Sequence, residues 1–106
     1  FGDEVLRKIA YFIKNEIRET DLLARWGGEE FICLLPNTNV SDAFVVAEKI
    51  RNRIDQVTFA YDVKVTLSIG LCERDESDYT IELVNEKADL ALYRAKREGR
   101  NKVVKY

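Results

Sequence analysis

Gly27 and Gly28 stand side by side between two runs of strand character, and nothing else in the chain restricts its fold as much. The runs are Leu22-Leu23-Ala24-Arg25-Trp26 and Phe31-Ile32-Cys33-Leu34-Leu35. A Gly-Gly pair in that position signals a hairpin, because glycine reaches positive φ at little steric cost. Lacking side chains, the same glycines let a bulky ligand approach the backbone and its N–H groups. Two carboxylates, Glu29 and Glu30, follow at once. Paired acids beside an open glycine turn suit a divalent ion such as Mg2+, which prefers carboxylate oxygens and shares its shell with substrate phosphates. The same residues also describe a polar hairpin tip with two solvated glutamates. The pentapeptide alone does not choose between these readings.

The rest of the chain alternates between helical and strand periodicity. Val5, Leu6, Ile9, Ile13 and Ile17 recur at helical spacing and predict a helix over residues 3–17, with Asp3 at its N-terminus as a capping carboxylate. The strands 22–26 and 30–35 follow. Phe31 to Leu35 is apolar on both faces, which predicts a central strand covered on each side. A second helix is expected after Pro36-Asn37-Thr38-Asn39, capped by Ser41 or Asp42, with Ala43, Val46, Ala47, Ile50 and Ile54 on one face. Val63, Val65, Leu67, Ile69 and Leu71 alternate with mostly polar or small residues, the cleanest strand pattern in the sequence. After a charged loop at 73–79, a third helix starts near Thr80 and buries Val84, Ala88, Ala91 and Ala95. Gly99 is placed as its C′ residue, and Val103-Val104 suggests a short closing strand. The fold class this order predicts is an α/β sandwich (α+β), helices packed on a mainly antiparallel sheet.

Composition closes off several function classes. The 106 residues make one domain, and 46% apolar with 34% charged residues is a globular balance. A net charge of −2 gives no broad basic face for gripping nucleic acid. With no histidine, imidazole ligation and Ser-His triads are excluded. Cys33 and Cys72 lie singly in apolar runs, which suggests buried thiols in a reducing compartment and no zinc or disulfide framework. No apolar run approaches the length that spans a membrane, so the expected location is cytoplasmic, alone or as the cytoplasmic part of a membrane-anchored parent.

Four separated blocks together resemble the GGDEF family, the diguanylate cyclase domains of bacterial signalling. Gly27-Gly28-Glu29-Glu30-Phe31 is similar to the family signature in its Glu-containing form, and Gly2-Asp3-Glu4-Val5-Leu6 to its Gly-Asp-x-x-Leu helix start. Thr66-Leu67-Ser68-Ile69-Gly70 and the block from Ala88 to Lys96, followed by Gly99-Arg100-Asn101, come in the family's order. The resemblance runs from Gly2 to the C-terminal end. It implies a nucleotide-cyclase or polymerase-palm-like fold and the condensation of two GTP into cyclic di-GMP with release of pyrophosphate. A homodimer would bring the two nucleotides face to face, with Mg2+ or Mn2+ as cofactor and an attached regulatory domain in the parent.

The same resemblance implies residue roles. Glu29 would ligate metal and help deprotonate the 3′-hydroxyl, and Glu30 would add a metal ligand or negative charge. Asp3 would read the guanine edge, Leu6 would line the base pocket, and Gly27 and Gly28 would open the turn to substrate. Lys96 and Arg100 would contact the β- and γ-phosphates. Taken alone, they are cations at a helix C-terminus, worth roughly a few tenths of a kcal/mol. Arg18 and Asp21 form the Arg-x-x-Asp pattern of the family's inhibitory product site. A forked donor there suits guanine O6 and N7, and a carboxylate accepts from N1 and N2. Without that context the two residues make an ordinary ion pair at a helix end.

The family also carries a strand before this helix with a metal-binding Asp, then a Phe-Lys-x-x-Asn-Asp stretch that grips the nucleotide. With Phe1 as its first residue, the chain is expected to be a GGDEF domain over 1–106 lacking that N-terminal strand and nucleotide-binding segment. Alone it is expected to bind cyclic di-GMP but to make none. Two other readings are a non-catalytic sensor of GTP or cyclic di-GMP and a purely structural dimerisation domain. Intact Glu29, Glu30, Lys96 and Arg100 weigh against the first, and the open glycine turn against the second.

Overall fold

The computed structural model describes residues 2–28, 30–78 and 80–106, the side chain of Ala60 excepted. Helix α1 covers Asp3–Glu16. Its apolar residues recur at three- and four-residue intervals, so Leu6, Ile9 and Ile13 fall on one buried stripe. Gly2 is its N-cap and makes no side-chain cap hydrogen bond. The expected capping carboxylate, Asp3, sits one position inside, in the first turn, where its charge faces the positive end of the helix dipole.

Strands β1 (Leu22–Gly27) and β2 (Glu30–Leu34) form the expected hairpin, antiparallel with Leu22 opposite Leu34 and Arg25 opposite Phe31. Among the described residues β2 has β1 as its one partner, so it is not the doubly covered central strand its composition suggests. Cys33 is exposed and Cys72 half-buried, which also corrects the expectation of two buried thiols. An apolar run records a capacity to be covered, but cover requires a neighbouring element.

Helix α2 covers Val40–Gln56 and starts earlier than its sequence signals suggest. The cap is Asn39, whose side chain accepts from the Asp42 N–H at 2.8 Å, so Ser41 and Asp42 lie inside the helix. Glu73, 33 residues away, accepts from the Val40 N–H at 2.7 Å. That long-range partner satisfies a first-turn N–H that the local Asn39 cap leaves open. Ala47, Ile50 and Ile54 are buried as expected, and Ile50, Ile54, Ile9, Ile13, Phe59 and Val65 make one core cluster between α1 and α2.

The alternating run 63–71 yields a strand over its last three residues alone, β3 (Ile69–Leu71). Helix α3 (Ile81–Arg97) follows, capped by the Thr80 hydroxyl on the Leu83 N–H, and β4 (Val103–Lys105) then pairs parallel with β3. A helix crossing between two strands permits a parallel pair, which a tight turn does not. No described strand lies beside residues 63–68, so their alternation makes no ladder; Val65 alone of them is fully buried, and Val63 is exposed. The architecture is helices packed on small sheets, one antiparallel pair and one parallel, within the expected α/β class. α3 lies directly on β3, with the backbone of Ala88 and Leu92 against Gly70; Ala91 and Ala95 are completely buried, while Val84 and Ala88 of the expected stripe are half-buried.

The charged segment from Glu73 to Asp78 holds a buried ion pair. Asp78, 1% exposed, accepts from the Asp75 N–H at 2.9 Å and from Lys87 Nζ of α3 at 2.7 Å. The Lys87 ammonium also lies 5.6 Å from the centroid of the Tyr106 ring. The Asp75 amide and Lys87 hold the Asp78 carboxyl below its ordinary pKa. A depressed folded pKa contributes stability that is present above the unfolded value, about 3.9, and lost as pH falls through the lower folded value. Asp78→Asn is therefore expected to lower Tm at pH 7. The difference from the unsubstituted protein should shrink in melts taken below pH 4, and an unchanged gap there would remove the charge as its cause.

Candidate active site

The hairpin turn is built by one glycine and one arginine. Gly27 pairs with Glu30 across the end of the ladder, and a bulge at Trp26 offsets the register. Gly28 takes φ +52°, a conformation L-residues rarely adopt, whereas Gly27 does not need positive φ. A Cβ at either glycine would meet nothing within 4 Å, so the turn is open on that side. Arg25 donates from Nε and Nη2 to the Gly28 carbonyl at 3.1 and 2.8 Å, fixing the turn from its own strand. Glu30 is exposed at the first position of β2. Glu29, the expected catalytic residue and metal ligand, lies outside the described residues.

Below the turn, Leu6 and Ala10 of α1 and Leu23 and Phe31 of the hairpin line a depression of about 260 Å3, with Arg7 and Arg25 also in its wall. Leu6 is 4% exposed and so acts both as core and as lining. Asp3 is exposed on the first turn of the same helix, one turn from Leu6. An apolar floor with two arginines in the wall suits a flat ring bearing an anionic substituent.

Lys96 and Arg100 are exposed at the far end of α3. Glu98 is the C-cap and Gly99, at φ +115°, is the C′ residue expected from the sequence. The Arg100 N–H donates to the Ala95 carbonyl at 2.9 Å, which closes a Schellman motif. Among the described residues, the side chains of Lys96 and Arg100 join neither each other nor the hairpin turn by a hydrogen bond or ion pair.

Arg18 and Asp21 do meet. Arg18 Nε and Nη2 grip both carboxylate oxygens of Asp21 at 3.2 and 3.0 Å, and the Arg18 N–H donates to Asp21 Oδ2 at 2.8 Å. The Arg18 side-chain and backbone donors pull the Asp21 carboxyl below its usual pKa. Nη2 also donates to the Pro36 carbonyl and the Thr38 hydroxyl, so the pair ties the α1–β1 corner to the chain leaving β2. Asp21 is almost covered, while the Arg18 side chain is 57% exposed and keeps a face toward solvent. Six residue steps along β1 separate this corner from Gly27, roughly 20 Å of extended chain.

The donors expected to hold a divalent cation are carboxylate oxygens, the hard ligands Mg2+ and Mn2+ prefer. Among the described residues no three carboxylates or thiols converge into a metal site. Glu30 is the described member of the expected pair, and its exposed carboxylate beside an open turn fits a shell completed by substrate oxygens.

Residues 1–102 match the family model "Diguanylate cyclase, GGDEF domain". The chain belongs to the GGDEF family. Diguanylate cyclase A of Treponema denticola is 43% identical over 105 residues, which are 96% of this chain and 28% of that protein. The chain thus spans about a quarter of the length of the curated relatives it matches. The active GGEEF domain of a diguanylate cyclase from Vibrio cholerae superposes with a TM-score of 0.92 at 38% identity, covering 98% of this chain and 67% of that one. The coiled-coil and GGDEF structure of DgcB from Caulobacter crescentus, in complex with c-di-GMP, gives 0.91 at 30% identity, covering 98% and 57%.

Within this GGDEF domain, several contacts escaped the sequence reading. Arg25 sits inside the signature stretch, but its grip on Gly28 depends on a bulge no pattern announces. Pro36 and Thr38 reach Arg18 across the hairpin, and Arg51 of α2 reaches Asn101. A run of Asn and Thr reads as a loop, and the one available signal was its count of side-chain acceptors.

Proposed function

We propose that this chain is the nucleotidyltransferase unit of a diguanylate cyclase that condenses two GTP into cyclic di-GMP. The observation that carries the reading is the glycine-opened hairpin turn with its acidic pair, in a chain matching the family model over nearly all its length. Each of two protomers would hold one GTP. The 3′-oxygen of one nucleotide attacks the α-phosphorus of the other, the bond from that phosphorus to the bridging oxygen breaks, and pyrophosphate leaves. Two such displacements close the ring.

Glu29 receives the 3′-hydroxyl proton, and Glu29 and Glu30 would hold a divalent cation. Mg2+ or Mn2+ bound there would supply charge neutralisation on the phosphates. Lys96 and Arg100 bind the β- and γ-phosphates and neutralise the leaving pyrophosphate. Asp3 accepts from guanine N1–H and the exocyclic amine, and the depression floored by Leu6 takes the base. No helix of the described residues is long and apolar enough to cross a membrane. We further propose that a strand and nucleotide-binding segment like those of the family complete the domain in the parent protein, and that the domain works in the cytoplasm.

Regulation follows from the Arg18–Asp21 corner, roughly 20 Å from the turn. Cyclic di-GMP bound there would inhibit without occupying the catalytic turn. Arg18→Ala is expected to weaken cyclic di-GMP binding at least about tenfold, or about 1.4 kcal/mol. Calorimetric affinity equal to that of the unsubstituted protein would return the pair to a structural clamp. Pyrophosphate release and a cyclic di-GMP product from GTP and Mg2+, assayed on the full-length parent protein, test the activity itself; binding of GTP without turnover would favour a sensor.

A further inference from the structure

The end of α3 carries backbone conformations its own residues do not favour. After Gly99 at φ +115°, Arg100 takes φ +65° and Asn101 φ +47°, so left-handed backbone continues through two residues with side chains. Asn tolerates that region and Arg does not seek it, so neighbouring structure must hold it there. The support comes from α2. Arg51 Nη1 donates to Asn101 Oδ1 at 2.9 Å, while Arg51 Nε and Nη2 rest on the two carboxylate oxygens of Glu48 at 2.8 and 3.3 Å. The Arg51 side chain is 17% exposed, and its planar fork keeps the strut stiff. Two further bonds pin the turn: Ile69 N–H to the Lys102 carbonyl at 2.9 Å, and Lys102 Nζ to the Glu98 carbonyl.

Among the described residues the Arg100 guanidinium makes no hydrogen bond, so it is the one cation of this pinned turn whose side chain is not engaged by the turn itself. We infer that Asn101, held by Arg51, is a positioning residue that fixes the Arg100 backbone so that its guanidinium is presented beside Lys96 to the β- and γ-phosphates. The inference rests on the proposed phosphate contact of Arg100 and adds the element that sets its geometry. Lys96 and Arg100 are four residues apart across the helix end, and helical periodicity stops at Gly99. The direction in which Arg100 leaves the chain is therefore set by the two left-handed residues together with the Arg100 N–H bond to the Ala95 carbonyl of α3, and not by helical periodicity. A fixed starting point reduces the freedom lost when the side chain engages an anion.

The test uses the full-length parent protein with four single variants and one double variant. Asn101→Gly permits the left-handed backbone and removes the acceptor; Asn101→Asp keeps an acceptor for Arg51. Arg51→Met cuts the strut from the other end, and Arg100→Ala provides the reference. KM and kcat for GTP are measured beside affinity for GMP, which lacks the β- and γ-phosphates, and beside Tm. Asn101→Gly and Arg51→Met are expected to raise KM for GTP about tenfold, with GMP affinity within about twofold of the unsubstituted protein. Asn101→Asp should stay near the unsubstituted values. Adding Asn101→Gly to Arg100→Ala should cost little more than Arg100→Ala alone, since both act on one contact.

A rise in KM for Arg100→Ala but not for Asn101→Gly or Arg51→Met overturns the positioning inference and leaves the phosphate contact standing. Equal losses of GTP and GMP binding, tracking a lower Tm, also overturn it and make the strut purely structural. An unaltered KM in Arg100→Ala removes the phosphate contact, and the inference with it.

Discussion

Gly70→Ala is expected to lower Tm by about 10 °C or more, the largest stability change of any glycine-to-alanine substitution in this chain. Gly70 is the middle residue of β3, pressed against α3. A Cβ there would lie 2.2 Å from the Ala88 carbonyl oxygen, 2.3 Å from the Leu92 nitrogen and 2.9 Å from the Leu92 Cα. All three are backbone atoms of a helix, so no rotamer change can clear them. Overpacking costs about 1–3 kcal/mol when side chains can shift, and more where backbone must move. Each kcal/mol shifts Tm by about 4–8 °C in a domain of this size. β3 would have to lift off α3, and its parallel ladder with β4 would go with it. Gly27→Ala is the control, because its Cβ meets nothing within 4 Å; a change within about 0.5 kcal/mol is expected there. Thermal melts of both variants decide the matter, and equal small shifts would mean that β3 has room the packing denies it.

Glu29→Gln should abolish turnover in the parent protein, by a factor of roughly 10²–10⁴ for the loss of the proposed general base. The substitution also takes a charged oxygen from the proposed cation site, which neutral amide oxygen replaces poorly. Cyclic di-GMP affinity is expected to stay close to that of the unsubstituted protein, since Arg18 and Asp21 lie roughly 20 Å along β1 from the turn. Steady-state product formation and calorimetry on one preparation give both readouts. Residual activity within about tenfold of the unsubstituted enzyme would place the proton acceptor elsewhere. Loss of product binding alongside activity would mean that the corner and the turn are coupled through the hairpin.

The sequence by itself determined the elements whose signals are local. Three- and four-residue apolar spacing placed Leu6, Ile9 and Ile13 on the buried stripe of α1 and Ala47, Ile50 and Ile54 on that of α2. A Gly-Gly pair between apolar runs placed the hairpin, and Thr80 and Gly99 marked the two ends of α3, because each acts within one turn of chain. The family's blocks were equally legible, being contiguous residues. Tertiary structure decided whatever depends on a partner far along the chain. The Val40 N–H at the start of α2, next to the local Asn39 cap, found its acceptor in Glu73, and the alternating run 63–71 became a three-residue strand because β4 offers three residues to pair with. Arg18 reached Pro36 and Thr38, and Arg51 reached Asn101, across spans of 18 to 50 residues. Periodicity encodes which face of an element is apolar, whereas a hydrogen-bonding group takes whichever partner the fold brings within about 3 Å.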